Sequence, residues 1–311
     1  MTGGAITRHG GSRGIAAPWV GAILVAAIVT ACLLVFLGKA FHIDDPFYLW
    51  IAEQIQRDPT DFYGFRINWY GEQTPMAEVS MHPPLLGFYL AGLTALVGWQ
   101  ETAIHAGMLL PAISLVLGIH ALSSRLSRHP VPATLCACLT PVVLVSATTV
   151  MTDVLMLGFW CWATVLWLDG LERRHTPRLL AAAFVMGLCA LSKFFGMSLV
   201  PLLFAYTLFR ERRLGLWAVW LLVPAAMMTG YDLFVHAHYG VHPLLSIASF
   251  SRFVREAAGM SLAEEALIGL FFVGGGLITS FFFVPLLWRP RALDAGAAVV
   301  LLLAWPIVQA D

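Results

Sequence analysis

Long apolar runs broken by short polar turns set the pattern of this chain. Runs without two-residue alternation cover about 18–40, 102–122, 131–150, 154–169, 179–192, 194–209, 214–235, 266–288 and 293–310. The longer ones reach the ~20 residues that a helix needs to cross a bilayer. The pattern predicts an all-α fold: a polytopic transmembrane helical bundle of about nine spans. It reads as a single integral membrane domain over 1–311.

Two stretches depart from it. Residues 41–82 form the only long polar segment in the first half of the chain. Within it, Pro46–Arg57 sets Phe47, Leu49, Trp50 and Ile55 among Glu53, Gln54 and Gln56. That spacing predicts an amphipathic helix lying in the membrane interface, aromatics down, ended by Asp58-Pro59. Trp69, Tyr70 and Trp99 fit an aromatic belt. The following 83–98 stretch is apolar but short, bounded by Pro83-Pro84 and Gly98-Trp99. Residues 236–265 read as a second polar loop.

Composition agrees with a membrane protein: 59% of residues are hydrophobic, 12% are charged, and mean hydropathy is +0.80. A soluble domain carries roughly 25% charged residues. Net charge is zero, so no global field draws a nucleic acid. The placement of the charge says more. Arginines cluster at Arg8/Arg13, Arg125/Arg128, Arg173/Arg174/Arg178, Arg210/Arg212/Arg213 and Arg289/Arg291, twelve of the eighteen basic residues. All five clusters share one side only if 83–98 does not cross. We therefore expect 83–98 to be a partly inserted or surface-lying helix within an outer loop, 41–98. The N-terminus is then cytoplasmic, in a plasma (inner) membrane, with the long loops facing the periplasm or exterior. Arg8, Arg13 and the run from Pro18 resemble a signal sequence, read as an uncleaved anchor because the run continues to about Ala40. Val29-Thr30-Ala31-Cys32 resembles a lipoprotein box within that run. The five cysteines lie in apolar runs and suggest neither disulfides nor a metal site.

On this topology the ionisable residues of interest share the outer rim. Asp44 and Asp45 are adjacent, so they point apart. One can accept a proton, while the other holds backbone donors or caps a helix whose first turn holds Pro46. Asp153 either begins a helix or serves a site. The chain has two lysines, and Lys193 interrupts the apolar run Leu179–Phe209. It marks a turn there and either contacts a phosphate or snorkels to the interface. His82, before Pro83-Pro84, either donates to a phosphate or caps the short helix. His236, His238 and His242 lie with Arg252 and Arg255, and fit a polar lid better than a metal site. Asp232 pairs with a cation or serves the cavity.

These motifs together resemble a known family. A first span followed by Asp44-Asp45-Pro46-Phe47-Tyr48 is similar to polytopic glycosyltransferases of the GT-C type. The nearest likeness is to glycosyltransferase family 39, the protein O-mannosyltransferases, and to lipid A aminoarabinose transferases. His82-Pro83-Pro84-Leu85, Met151-Thr152-Asp153 and Leu191-Ser192-Lys193-Phe194 resemble further family segments, and Tyr239-Gly240-Val241-His242-Pro243 does so weakly. The resemblance covers about residues 18–260. Family members are usually longer, so the chain is a short form, a fragment, or one whose partner subunit supplies the missing C-terminal part.

The resemblance implies an inverting transferase. Its donor is a polyprenyl-phosphate-linked sugar, its acceptor a lipid, glycan or protein, and its surroundings membrane lipid. It implies Asp44 or Asp45 as general base, with Asp44 preferred. Lys193 would contact the leaving phosphate with Arg66 or His82, and Asp153 would orient the acceptor or a cation. No cofactor is expected, and a metal between the carboxylates, used by some GT-C enzymes, is not favoured. Two other readings are a transporter or flippase for a lipid-linked or small polar substrate, and a non-catalytic lipid-binding subunit. Transporters place charge near mid-bilayer and carry repeats, and neither shows here.

Overall fold

The structure, a computed structural model, describes residues 18–69, 71–80 and 82–276. It is an all-α bundle. In order come α1 (Pro18–Leu34), α2 (Asp45–Arg57), a hairpin of β1 (Arg66–Asn68) and β2 (Gln73–Pro75), α3 (Met76–Val79) and α4 (Leu85–Val97). Then follow α5 (Glu101–Leu126), α6 (Pro130–Cys138), α7 (Pro141–Ala147), α8 (Thr152–Glu172) and α9 (Thr176–Ser192). A 3₁₀ turn, Phe194–Ser198, leads into α10 (Leu199–Glu211), α11 (Trp217–Trp220), α12 (Leu222–Tyr239), α13 (Pro243–Ala258) and α14 (Leu262–Gly276). The hairpin is antiparallel, with Ile67 opposite Thr74.

The centre is α8, packed between α5 and α9. Small residues let these apolar helices approach: a Cβ on Gly118 of α5 would stand 2.8 Å from that of Cys161 on α8. α1 and α6 lie on α5, and α12 lies on α9. α2 and α4 pack together beside this core, at a contact so close that a Cβ on Gly87 would meet Ile51 at 2.6 Å.

α8 has two distinct ends. Its last turn enters a network of ion pairs. Asp169 accepts from Arg125 at 3.1 Å and Arg173 at 2.9 Å, and it also pairs with Arg178. Glu172 takes Arg125 at 3.0 Å and Arg210 at 3.9 Å, and Arg174 approaches Glu211 at 3.9 Å. Three of the arginine clusters therefore gather at one end. The other end receives the chain on both sides of the 41–100 excursion. The Phe41 N–H lies 3.4 Å from Glu101 Oε1, and the Phe41 ring is 5.6 Å from that of His105. Lys39 Nζ donates to the Thr148 carbonyl at 3.3 Å. The segment from α2 to α4 thus leaves and re-enters at one end, and α4 does not carry the chain to the other.

By length and composition, three described helices suit a membrane crossing: Glu101–Leu126, Thr152–Glu172 and Trp217–Tyr239. The bent pair α6–α7 makes a fourth if it is one span. Several expectations change in detail. The 131–150 run is not one straight helix: it bends by 65° ahead of Pro141, whose missing N–H and ring break the ladder. The first helix stops at Leu34 and continues as a turn. The 236–265 segment is largely helical, because α12 runs on to Tyr239 and α13 is amphipathic. In α2, Phe47, Leu49 and Ile55 are buried in the protein, whereas Trp50 is exposed. The expected spans beyond residue 276, Arg8, Arg13, Arg289, Arg291 and the belt residue Tyr70 lie outside the described residues.

Candidate active site

The acidic end of the bundle is assembled from four segments far apart in sequence. Asp45 is fully buried, and both its oxygens hold backbone. Oδ2 accepts from the His42 N–H at 3.0 Å, and Oδ1 from the Val150 N–H at 2.8 Å. A carboxylate in this place ties the start of α2 to the strand-like entry into α8. Asp44 is half-buried, and among the described residues no hydrogen bond runs through its carboxylate. Asp44 precedes Pro46, whose fixed φ suits the first turn, and Asp45 fills the first helical position beside the dipole.

Tyr48, one turn into α2, reports what surrounds it. Burial raises its phenol above the ordinary value, and a hydroxyl contact with Thr152 offsets part of the rise. The negative charges of Asp44 and Asp153 add to the rise. The two acidic regions, more than a hundred residues apart in sequence, are joined by the Asp45–Val150 contact. The His82 ring stacks on Tyr48, with centroids 6.5 Å apart and planes within 8°.

Lys193 follows α9 in extended backbone, where the apolar run breaks into the 3₁₀ turn. Its Nζ meets Asp153 Oδ1 at 2.7 Å, with both side chains about one-third exposed. Asp153 sits in the first turn of α8, where a carboxylate also favours the helix dipole. The partly wet ion pair therefore holds the lysine at the acidic end.

A tyrosine network supports this corner. The Tyr63 hydroxyl donates to the His82 carbonyl at 2.9 Å and receives the Ser80 hydroxyl at 3.2 Å. It also lies 3.3 Å from the Tyr231 hydroxyl on α12. Burial pushes the Tyr63 phenol up to about 12, partly offset by Ser80 and Tyr231, so it stays a donor at neutral pH. The Tyr63 N–H donates to the Tyr239 hydroxyl at 3.1 Å. Tyr48 closes the Asp44–Tyr48 motif, whereas Tyr63 in the loop and Tyr231 on α12 had no distinguishing sequence signal, because a tyrosine near the membrane rim looks like any belt aromatic.

The remaining candidates are engaged in contacts of their own, Asp232 next to Tyr231 in sequence. Asp232 accepts from His242 Nδ1 at 2.8 Å and from the Leu244 N–H at 3.0 Å, so it caps α13. The His236 and His242 rings stack at 3.8 Å. Arg66 is exposed on the hairpin, donates to the Gln73 carbonyl at 2.6 Å, and lines a groove on another face of α2. Among the described residues, no three His, Cys, Asp or Glu side chains come together as metal ligands would.

With this geometry in place, comparison with known proteins gives two likenesses. Residues 81–230 match the family model of dolichyl-phosphate-mannose-protein mannosyltransferases. That segment holds His82, Asp153 and Lys193, while Asp44 and Asp45 precede it. No curated protein matches the chain by sequence. Among solved structures, the fold is similar to ArnT from Cupriavidus metallidurans bound to undecaprenyl phosphate, with a TM-score of 0.57 and 18% identity. The alignment covers 86% of this chain and 51% of that one, so the chain spans about half the length of its solved relative. The chain has the fold of the GT-C type polytopic membrane glycosyltransferases, and across residues 81–230 it carries the dolichyl-phosphate-mannose-protein mannosyltransferase pattern.

Proposed function

We propose that this protein transfers a sugar from a polyprenyl-phosphate donor to a hydroxyl or phosphate acceptor, at the acidic end of its bundle. The carrying observation is that Asp45, bonded to the Val150 N–H at 2.8 Å, brings the Asp44–Tyr48 corner to the start of α8, where Asp153 holds Lys193 at 2.7 Å. Loop and helix segments far apart in sequence thus bring a base, a cation and a buried phenol together. The arginine-rich end faces the cytosol on charge grounds, so the acidic end faces outward. The ArnT structure was solved with undecaprenyl phosphate, a lipid of the class proposed as the leaving group here.

The step is a single displacement. The acceptor oxygen attacks the anomeric carbon as the bond from that carbon to the phosphate oxygen breaks. Asp44 takes the acceptor proton, a contribution of roughly 10²–10⁴ in rate. The electron pair leaves with polyprenyl phosphate, and Lys193 stabilises the charge growing there. Configuration at the anomeric carbon inverts, because no covalent intermediate intervenes. Asp45 positions Asp44 by locking the start of α2 to Val150, and Asp153 positions Lys193. His82, held by Tyr63 and stacked on Tyr48, supplies a second donor toward the phosphate. Arg66 has no part in this reading, because its hairpin lies elsewhere on α2.

The test is a transfer assay on the purified chain in lipid nanodiscs. The donor is a panel of polyprenyl-phosphate sugars, radiolabelled in the sugar. Appearance of label in an acceptor supports transfer. Movement of intact donor between leaflets of vesicles without cleavage supports the flippase reading instead. Donor binding alone supports a lipid-binding subunit.

A further inference from the structure

The exposed face of α2 carries a feature that the transfer chemistry does not use. The apolar face of this helix is spent on the core through Phe47, Ile51 and Ile55, yet Trp50 on the other side is 41% exposed. Polar groups share its surroundings with Phe65 and Ile67. Trp50, Glu53 and Arg57 on α2 face Arg66, Asn68 and Gln73 on the hairpin across a groove of about 520 Å³. The groove is built, not incidental. Trp69 stands edge-on to Trp50 with centroids 6.4 Å apart, Arg66 is tied to the Gln73 carbonyl, and Glu53 pairs with Arg57.

We propose that this groove binds a saccharide. A sugar ring offers one face of C–H groups and a rim of hydroxyls that both donate and accept. The exposed indole provides a flat platform for the first. For the rim, Asn68 and Gln73 donate and accept, Glu53 accepts, and the two guanidiniums donate. An apolar protein surface or acyl chain would cover the Asn68 and Gln73 side-chain amides and desolvate the guanidiniums and Glu53 without offering them hydrogen bonds, at a cost. A bare phosphate would have no use for the indole. The volume lies within the ~300–1,000 Å³ of small-molecule sites.

The groove is a second site. Tyr48 and Trp50 are two residues apart on a helix of 3.6 residues per turn, so they point about 200° apart. The saccharide here would be a remote part of a glycan, or a separate glycan at the membrane surface. The proposal stands whether or not the reacting cluster transfers a sugar.

The test uses the full chain in nanodiscs on an array of soluble neutral and acidic oligosaccharides, with a peptide panel beside it. Binding of an oligosaccharide class is expected, with apparent affinity falling about tenfold in Trp50→Ala and Arg66→Ala. Trp50→Phe should keep much of it. Trp19→Ala, an exposed indole on α1, should change nothing. Trp50→Phe and Arg66→Ala should unfold close to the wild-type temperature, whereas Trp50→Ala, which gives up the Trp69 contact, should unfold somewhat lower, so the Arg66→Ala loss of binding cannot be ascribed to unfolding. Failure to retain any oligosaccharide, retention indifferent to Trp50→Ala, or Trp50-dependent capture of peptides instead would overturn the proposal.

Discussion

The two ends of α8 carry the same kinds of residue and use them differently. At the last turn, Asp169 meets three arginines and Glu172 meets two, so the carboxylates are saturated with cations. Neither of these two carboxylates is left over to take a proton. At the first turn, Asp153 has one partner, Lys193, while Asp44 lies close by and is committed to no hydrogen bond among the described residues. Exposed ion pairs of the first kind stabilise only weakly, and they anchor a helix end among lipid headgroups. A base has to keep an uncommitted carboxylate, and of these carboxylates Asp44, at the second end, meets that condition among the described residues. The comparison teaches that availability, more than the presence of charge, separates a site from an anchor.

The largest effect should come from the uncommitted group. Asp44→Asn should lower sugar transfer by roughly 10²–10⁴ with unchanged membrane abundance, measured as label transferred per mole of protein. Full activity in that variant would put the acidic end on the same footing as the arginine end. Lys193→Ala should follow, with turnover falling about 10²-fold and Asp153 left unpaired. Lys193→Arg should restore part of it, which mere snorkelling would not require.

Asp45→Ala should act chiefly through the fold. It strips the acceptor from a buried N–H at Val150 and from His42, a loss of about 1–3 kcal/mol visible as a lower unfolding temperature. A stable but inactive Asp45 variant would move the proton-accepting role toward Asp45. Smallest of all should be Arg125→Ala at the saturated end. Stability should drop by about 1 kcal/mol or less, since the side chain is partly exposed and the network has other members, and transfer should stay intact.

Much of this contrast was legible in the sequence, because arginine placement is a strong signal in membrane proteins. Set against Arg8 and Arg13, the clusters from Arg125 onward called for 83–98 to turn back, and in the described residues Phe41 lies beside Glu101. The Lys193 turn was legible because a lysine cannot sit mid-run without a break. Other features were hidden for physical reasons. Adjacent aspartates differ by 100° around a helix, but which one faces backbone depends on Val150, 105 residues away. The Asp153–Lys193 pair is equally non-local. Trp50 read as a bilayer anchor because a moment gives an apolar face without saying whether lipid or protein covers it. The kink before Pro141 had a local signal in that proline. The helical nature of 243–258 had its signal in the spacing of Leu244, Ile247, Phe250 and Val254, which the histidines and arginines nearby obscured.

The most direct test is to ask which end holds the lipid phosphate. A polyprenyl phosphate carrying a diazirine beside the phosphate would be photolysed with the full chain in nanodiscs and the labelled peptides mapped by mass spectrometry. The account predicts adducts in 41–49, 82–85, 150–154 or 193–198, lost on competition with unlabelled polyprenyl phosphate. The opposite end offers a fair rival, a cavity of about 390 Å³ lined by Arg174, Arg213 and Trp217. Competable adducts there, with none at the acidic end, would contradict the account.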